Sequence, residues 1–256
     1  MSEIGAKERR GIPLRAIAPN AVTAMALCSG LTAIRFGIGG EWDKAIYATI
    51  LAGVLDGVDG RIARMLHADS RFGAELDSLS DVIAFGVSPA LVIYLWSLQD
   101  VPKFGWLFAL ALALCCALRL ARFNANIDVA EQPHKSAGYL TGVPAPAAAG
   151  LALLPLYLWI ETAEPVFRNP MLVGPWLALV AFLMISNVAT LSWGAIRPRR
   201  TVRLELILLV ALVGSALFTV PWITLSGICV IYLLMIPVGI RSYAKVKRLK
   251  AAAQPL

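Results

Sequence analysis

An all-α membrane bundle of about eight transmembrane helices is the fold class this sequence predicts, and three observations carry it. The chain has 256 residues, of which 59% are hydrophobic and only 15% charged, with a mean hydropathy of +0.73. The apolar residues gather into eight runs, each about 17 to 25 residues long with its flanks, the length that crosses a bilayer. Lysine and arginine concentrate in alternate connections, the pattern that orients membrane helices.

The first run covers residues 19–37 and opens on Pro19-Asn20-Ala21-Val22-Thr23. Proline suits the first turn of a helix and asparagine suits a cap. The second and third runs, 44–66 and 72–98, are longer than their apolar cores and predict helices that project beyond the hydrocarbon. The fourth, 104–124, ends in Arg119-Leu120-Ala121-Arg122-Phe123-Asn124. The fifth, 141–160, begins with a Gly/Pro/Ala-rich stretch that reads as a kinked, closely packing helix face. The sixth is 171–194 and the seventh, 203–220, begins at a basic residue. The eighth, 222–243, leads into a basic tail. Residues 4–18 mix basic and apolar side chains around Pro13, which fits either a short surface-lying helix or a solvated basic tail.

Of the 23 lysines and arginines, all but Arg35, Lys44, Lys103 and Arg168 fall on one side of this eight-span topology. The asymmetry predicts both termini inside, with the basic loops cytoplasmic. The same arginines and lysines account for the net charge of +7 as membrane anchoring and attraction to anionic lipid, so nucleic-acid binding is not expected. Lys7, Arg9, Arg10 and Arg15 precede the first run and no small-residue cleavage site follows it, so no cleavable signal peptide is expected. Cys28, Cys115, Cys116 and Cys229 all lie inside apolar runs and read as small buried hydrophobes, not as disulfides or metal ligands. His67 and His134 stand alone in loops.

The chemistry lies in four aspartates. Asp56 and Asp59 are three residues apart near the end of the second run; Asp77 and Asp81 are four apart near the start of the third. Each pair therefore shares one helix face. Carboxylates in membrane segments are rare and mark functional sites. Two adjacent helices joined around residues 68–72 bring the four together, and such a cluster needs a cation. Hard oxygen ligands suit Mg²⁺, Mn²⁺ or Ca²⁺ rather than zinc or copper. Gly57, Gly60 and Ala63 are small and lie on or beside the carboxylate face, which leaves room for a ligand. Metal plus room for a ligand points to a phosphate substrate. Arg119 and Arg122, at i,i+3, fit either membrane anchoring or bidentate binding of a carboxylate or phosphate.

The frame Asp56-Gly57-Val58-Asp59-Gly60-Arg61-Ile62-Ala63-Arg64, with Gly73, Asp77 and Asp81 at fixed distances after it, resembles the signature of the CDP-alcohol phosphotransferase family at every fixed position. Pro19-Asn20-Ala21-Val22-Thr23 is similar to the element that opens the first helix of that family beside the nucleotide. Three further stretches are similar to the bacterial phosphatidylserine-forming branch: Leu118 to Asn124, Thr141 to Gly150, and Leu183 to Asn187. The resemblance covers about Pro19 to Asn187.

The resemblance implies a six-helix catalytic core in residues 19–194, two additional helices in 195–243 and a basic cytoplasmic tail in 244–256. It implies transfer of the phosphatidyl group of CDP-diacylglycerol to L-serine in a bacterial inner membrane, by a homodimer with two divalent ions. Asp56, Asp59, Asp77 and Asp81 would hold metal, with Asp81 also the general base. Asn20, Thr23, Asp56, Gly57, Asp59, Gly60, Ala63, Arg64, Gly73 and Asp77 would form the CDP site. Arg119, Arg122 and Asn124 would bind the serine carboxylate. The aspartate frame itself does not separate serine from glycerol 3-phosphate, inositol phosphate or choline as acceptor. A divalent-cation transporter is the reading from another class; the acids lie toward one face rather than at the midplane where transporter sites sit.

Overall fold

The computed structural model describes residues 14–67, 70–101, 103–125, 139–186, 189–191 and 203–253, with 14–16, 139–141, 189–191, 203 and 242–253 described by their backbone alone. Eight long helical segments run back and forth among these residues: α1 (Leu14–Ile38), α2 (Trp42–Leu66), α3 (Arg71–Leu98), α4 (Phe104–Ala125), α5 (Ala145–Thr162), α6 (Pro170–Ile185), α7 (Arg203–Thr219) and α8 (Pro221–Ala253). Five are long and apolar enough to cross a membrane: α1 over Ile17–Ile38, α3, α4, α5 and α8 over Pro221–Arg241. The other three are the shorter apolar α6 and α7 and the charge-bearing α2. The chain is a multi-pass membrane protein.

Several boundaries differ from those the sequence predicts. Helix α1 starts at Leu14, so Pro19 lies inside it rather than at its first turn, and the residues expected to form a separate N-terminal segment join the helix from position 14. The expected surface helix otherwise falls outside the described residues. Helix α8 continues to Ala253 instead of stopping at 243. Its 33 residues reach about 50 Å at 1.5 Å per residue, well beyond a hydrocarbon core of about 30 Å. Helix α6 ends at Ile185, and the backbone then pairs as a two-stranded antiparallel ribbon, β1 (Tyr139–Thr141) with β2 (Ala189–Leu191). This ribbon also delays the start of α5 to Ala145. Gly142 makes the turn out of β1 with φ +74, and a Cβ there would lie 2.5 Å from Met184 O, so only glycine fits.

The core is built where α2, α3, α4, α5 and α6 meet, with Cys229 and Ile236 of α8 packed into it. Trp96, Phe85, Ile93, Leu112, Leu151, Leu156, Tyr157, Leu177 and Met184 are buried in one cluster. Alanines dominate the close crossings, with Ala33, Ala45, Ala52, Ala145 and Ala148 fully buried. Gly30 lets α1 press on α3: a Cβ there would lie 2.8 Å from Ala84 Cα. Cys116 and Cys229 are buried as expected of small hydrophobes, but Cys28 is exposed, because it points outward from α1; all four cysteines are free.

Helix α3 is not uniform. Asp81 ends an α-helical stretch, and Val82–Val87 and Tyr94–Leu98 are wide π turns on either side of the α-helical Ser88–Ile93. Wide turns of this kind recur at functional sites, because each re-aims the side chains that precede it. Here the first begins directly after the last aspartate.

Candidate active site

The aspartates sit at the end of the bundle where α2 stops and α3 starts. Helix α2 closes on His67, which adopts the left-handed conformation (φ 50) and donates its N–H to carbonyls of the last turn. Helix α3 opens on Ser70, whose Oγ accepts from Gly73 N at 3.0 Å, a serine N-cap. This tight reversal sets Asp56 and Asp59 beside Asp77 and Asp81. Carboxylate oxygens of Asp56, Asp59 and Asp77 lie within 4.8 Å of one another. Asp81 stands one turn further along α3, and its carboxyl is in hydrogen-bonding contact with that of Asp56.

Helix α1 holds the cluster from the other side. Thr23, itself buried, donates its hydroxyl to Asp59 Oδ2 at 2.6 Å. Ser80 Oγ donates to Thr23 O at 3.2 Å. One residue of α1 thus ties α2 to α3. Gly73 allows the approach, since a Cβ there would lie 2.9 Å from Asn20 Oδ1 and 3.1 Å from Ser70 Oγ.

A cavity of about 520 Å³ opens over this cluster, lined by Asn20 and Thr23 of α1, Asp56, Asp59, Gly60, Ala63 and Arg64 of α2, and Gly73 and Asp77 of α3. Nine of the ten residues the sequence places in the nucleotide site are in that lining. Gly57 is the exception: it is exposed, and a Cβ there would meet nothing within 4 Å. Pro19, Ser70 and Ala74 also line the cavity. Pro19 lay in the sequence motif without a role. Ser70, three residues ahead of Gly73, could have been found as a helix-capping serine.

Among the described residues none of the four aspartates makes an ion pair with lysine or arginine. Two carboxylates 4.8 Å apart at an effective dielectric constant of about 20 repel by about 3 kcal/mol, and the cluster holds several such pairs. An oxygen-only donor set with unneutralised negative charge and an adjoining cavity fits a hard divalent cation.

The three residues expected to bind the acceptor lie on α4. Arg122 Nη1 donates to Ile185 O at 3.1 Å, at the end of α6. Asn124 Nδ2 donates to Ser78 Oγ at 2.9 Å, on the same helix as Asp77 and Asp81. Arg119 is half-buried, within electrostatic reach of Asp81. The three therefore flank the cluster on the side away from α1.

Comparison with known proteins gives this geometry its relatives. Residues 16–193 match a family model described as CDP-alcohol phosphatidyltransferase, and residues 202–237 match a second, CDP-alcohol phosphatidyltransferase 2. The chain is 36% identical over 234 residues to a CDP-diacylglycerol–serine O-phosphatidyltransferase of Mycobacterium tuberculosis, covering 91% of this chain and 81% of that protein. It is 31% identical over 222 residues to a protein of the same name from Helicobacter pylori, covering 84% of this chain and 87% of the relative. A Bacillus subtilis protein of that name is 32% identical over 170 residues, covering 66% of this chain and 87% of its own length. With its aspartate cluster, its cavity and a family match that spans the first six helices, the chain belongs to the CDP-alcohol phosphatidyltransferase family.

Proposed function

We propose that this protein transfers the phosphatidyl group of CDP-diacylglycerol to the hydroxyl of L-serine, giving phosphatidylserine and CMP. The observation that carries the reading is the unneutralised carboxylate cluster under a cavity of nucleotide size, in a chain whose relatives bear that enzyme's name. A lipid donor and a lipid product need a site inside a membrane protein, and a charged diphosphate needs that site at one face of the membrane.

Asp56, Asp59, Asp77 and Asp81 would hold divalent metal, with two Mg²⁺ or Mn²⁺ ions expected. Bound there, metal neutralises the diphosphate and the departing nucleotide. Asn20 and Thr23 orient the nucleotide from α1, while Gly60, Ala63 and Gly73 leave it space. Arg64, exposed at the cavity rim, contacts phosphate or steadies the acids. Arg119, with Arg122 and Asn124 beside it, binds the serine carboxylate. The serine hydroxyl oxygen attacks the phosphorus that carries diacylglycerol, and Asp81 takes the hydroxyl proton. The new O–P bond forms as the P–O bond to CMP breaks, and the electron pair leaves with CMP.

The catalytic core would be residues 19–194, with α7 and α8 packed beside it and the basic tail beyond. The aspartate end would face the cytoplasm of a bacterium, because the basic residues concentrate there. A homodimer is the expected assembly. The deciding experiment is release of CMP from CDP-diacylglycerol by purified protein, with and without L-serine, Mg²⁺ or Mn²⁺. Release that requires both serine and metal, with phosphatidylserine formed in step, supports the reading. Release driven instead by another alcohol overturns the acceptor. Metal uptake into vesicles without CMP release replaces the enzyme with a transporter.

A further inference from the structure

Of the three groups on α4, two are already engaged within the fold. Arg122 joins α4 to the end of α6, and Asn124 joins it to Ser78 of α3. Arg119 differs. Its Nε is shut away from solvent and meets no acceptor among the described residues. A buried guanidinium N–H without an acceptor is unfavourable, and it marks a place where an acceptor belongs. Around it stand the Asp81 carboxylate, the Cys116 thiol and the Tyr232 phenol, all within electrostatic reach.

Tyr232 comes from α8, outside the six-helix core. Its placement follows from packing. Cys229, about one turn earlier on α8, is buried, and its Sγ lies 3.5 Å from Gly150 O of α5 as a thiol donor. Tyr232 and Leu233 pack on the core cluster, and Ile236, one turn later, is buried in it. On the opposite side, Gly86 of α3 receives Cys116 of α4: a Cβ on Gly86 would lie 2.8 Å from Cys116 Cβ. Asp81 precedes Gly86 by little more than a turn, and Arg119 follows Cys116 by about one turn, both toward the aspartate end. Asp81, Arg119 and Tyr232 thus converge from three different helices.

We infer that Arg119 and Tyr232 together form the carboxylate-binding end of the acceptor subsite, so that α8 supplies a binding residue to a site otherwise built by the first six helices. The inference rests on the amino-acid acceptor of the proposed reaction. The guanidinium donates to one carboxylate oxygen and the phenol hydroxyl donates to the other. The acceptor hydroxyl is then left toward Asp81. Both donors are held by packing, so neither needs ordering when the acceptor enters.

The test is steady-state kinetics on the full-length protein and its Tyr232→Phe and Arg119→Lys variants. L-serine and CDP-diacylglycerol are varied separately, and serinol, which keeps the hydroxyl and amine but lacks the carboxylate, is run in parallel. Losing a hydrogen bond to a charged group is expected to raise KM for L-serine about tenfold in Tyr232→Phe. KM for CDP-diacylglycerol stays within about twofold, and serinol use is unchanged. Arg119→Lys follows the same pattern, because an ammonium cannot reproduce the guanidinium fork. An equal loss with serine and serinol overturns the inference, since a packing role would affect both. An unchanged KM for serine overturns it as well. If the unaltered protein releases CMP no faster with serine than without, the amino-acid reading itself fails and takes the inference with it. The unaltered protein alone reveals that result.

Discussion

The hydroxyl of Thr23 lies 2.6 Å from Asp59 Oδ2, a hydrogen bond between residues 36 positions apart on two antiparallel helices. It fixes the carboxylate that the sequence places in the middle of the cluster, and it comes from a helix that carries no acid of its own. Thr23→Val keeps the shape and removes the donor. Loss of a hydrogen bond to a charged group costs about 1.5–3 kcal/mol, so kcat/KM should fall about ten- to hundredfold. The metal concentration for half-maximal CMP release should rise with it. A metal titration that overlays on that of the unaltered protein would show that Asp59 needs no such support.

Neutralising the cluster should separate stability from activity. Asp77→Asn removes one of three mutually repelling carboxylates whose oxygens lie within 4.8 Å. The metal-free variant should melt at a higher temperature than the metal-free parent, because like charges no longer oppose each other. Its melting temperature should no longer rise on adding Mn²⁺, and its turnover should be lost. Thermal melts with and without the ion read the first two outcomes and CMP release reads the third; a preserved Mn²⁺ shift would remove Asp77 from the ligand set.

Asp81 stands apart from the cavity lining and in contact with Asp56. Asp81→Asn should abolish turnover while CDP-diacylglycerol still binds. Product formation and binding of the lipid donor are measured on the same preparation. Full activity in this variant would end the general-base role.

Two glycines in the same frame should respond in opposite ways. Gly73→Ala drives a Cβ to 2.9 Å from Asn20 Oδ1, so the Asn20 side chain must turn away from its place in the cavity lining, and KM for CDP-diacylglycerol should rise several-fold. Gly57→Ala meets nothing within 4 Å and should leave activity within about twofold, while the helix gains up to about 1 kcal/mol. A severe loss of nucleotide affinity in Gly57→Ala would return that residue to the binding site.

Most of the bundle was legible in the sequence because membrane helices announce themselves by apolar length, and each of the eight segments begins or ends within a few residues of its run. The aspartates were legible because i,i+3 and i,i+4 spacing fixes a shared face without any knowledge of the neighbours. The hydrogen bond from Thr23 was not, since it depends on how α1 crosses α2. The ribbon of β1 and β2 was missed for a different reason: three-residue strands carry no detectable period, and β2 lies in a run that otherwise reads as a helix end while β1 only touches the start of the next. Tyr232 could not be singled out, because one tyrosine in an apolar run looks like any other until α8 is seen packed on α5.

The wide turn over Val82–Val87 makes α3 a shaft with a built-in phase offset. Its two halves are indexed separately: the half ending at Asp81 carries two of the four aspartates, the half beginning at Ser88 packs into the interior. Inserting a further residue into the wide turn would turn one half against the other by about 100°, swinging Asp77 and Asp81 away from Asp56 and Asp59. Point substitutions in this stretch should therefore be far better tolerated than insertions. Over long divergence, this short interval is where lineages would be expected to vary in spelling and hold their count.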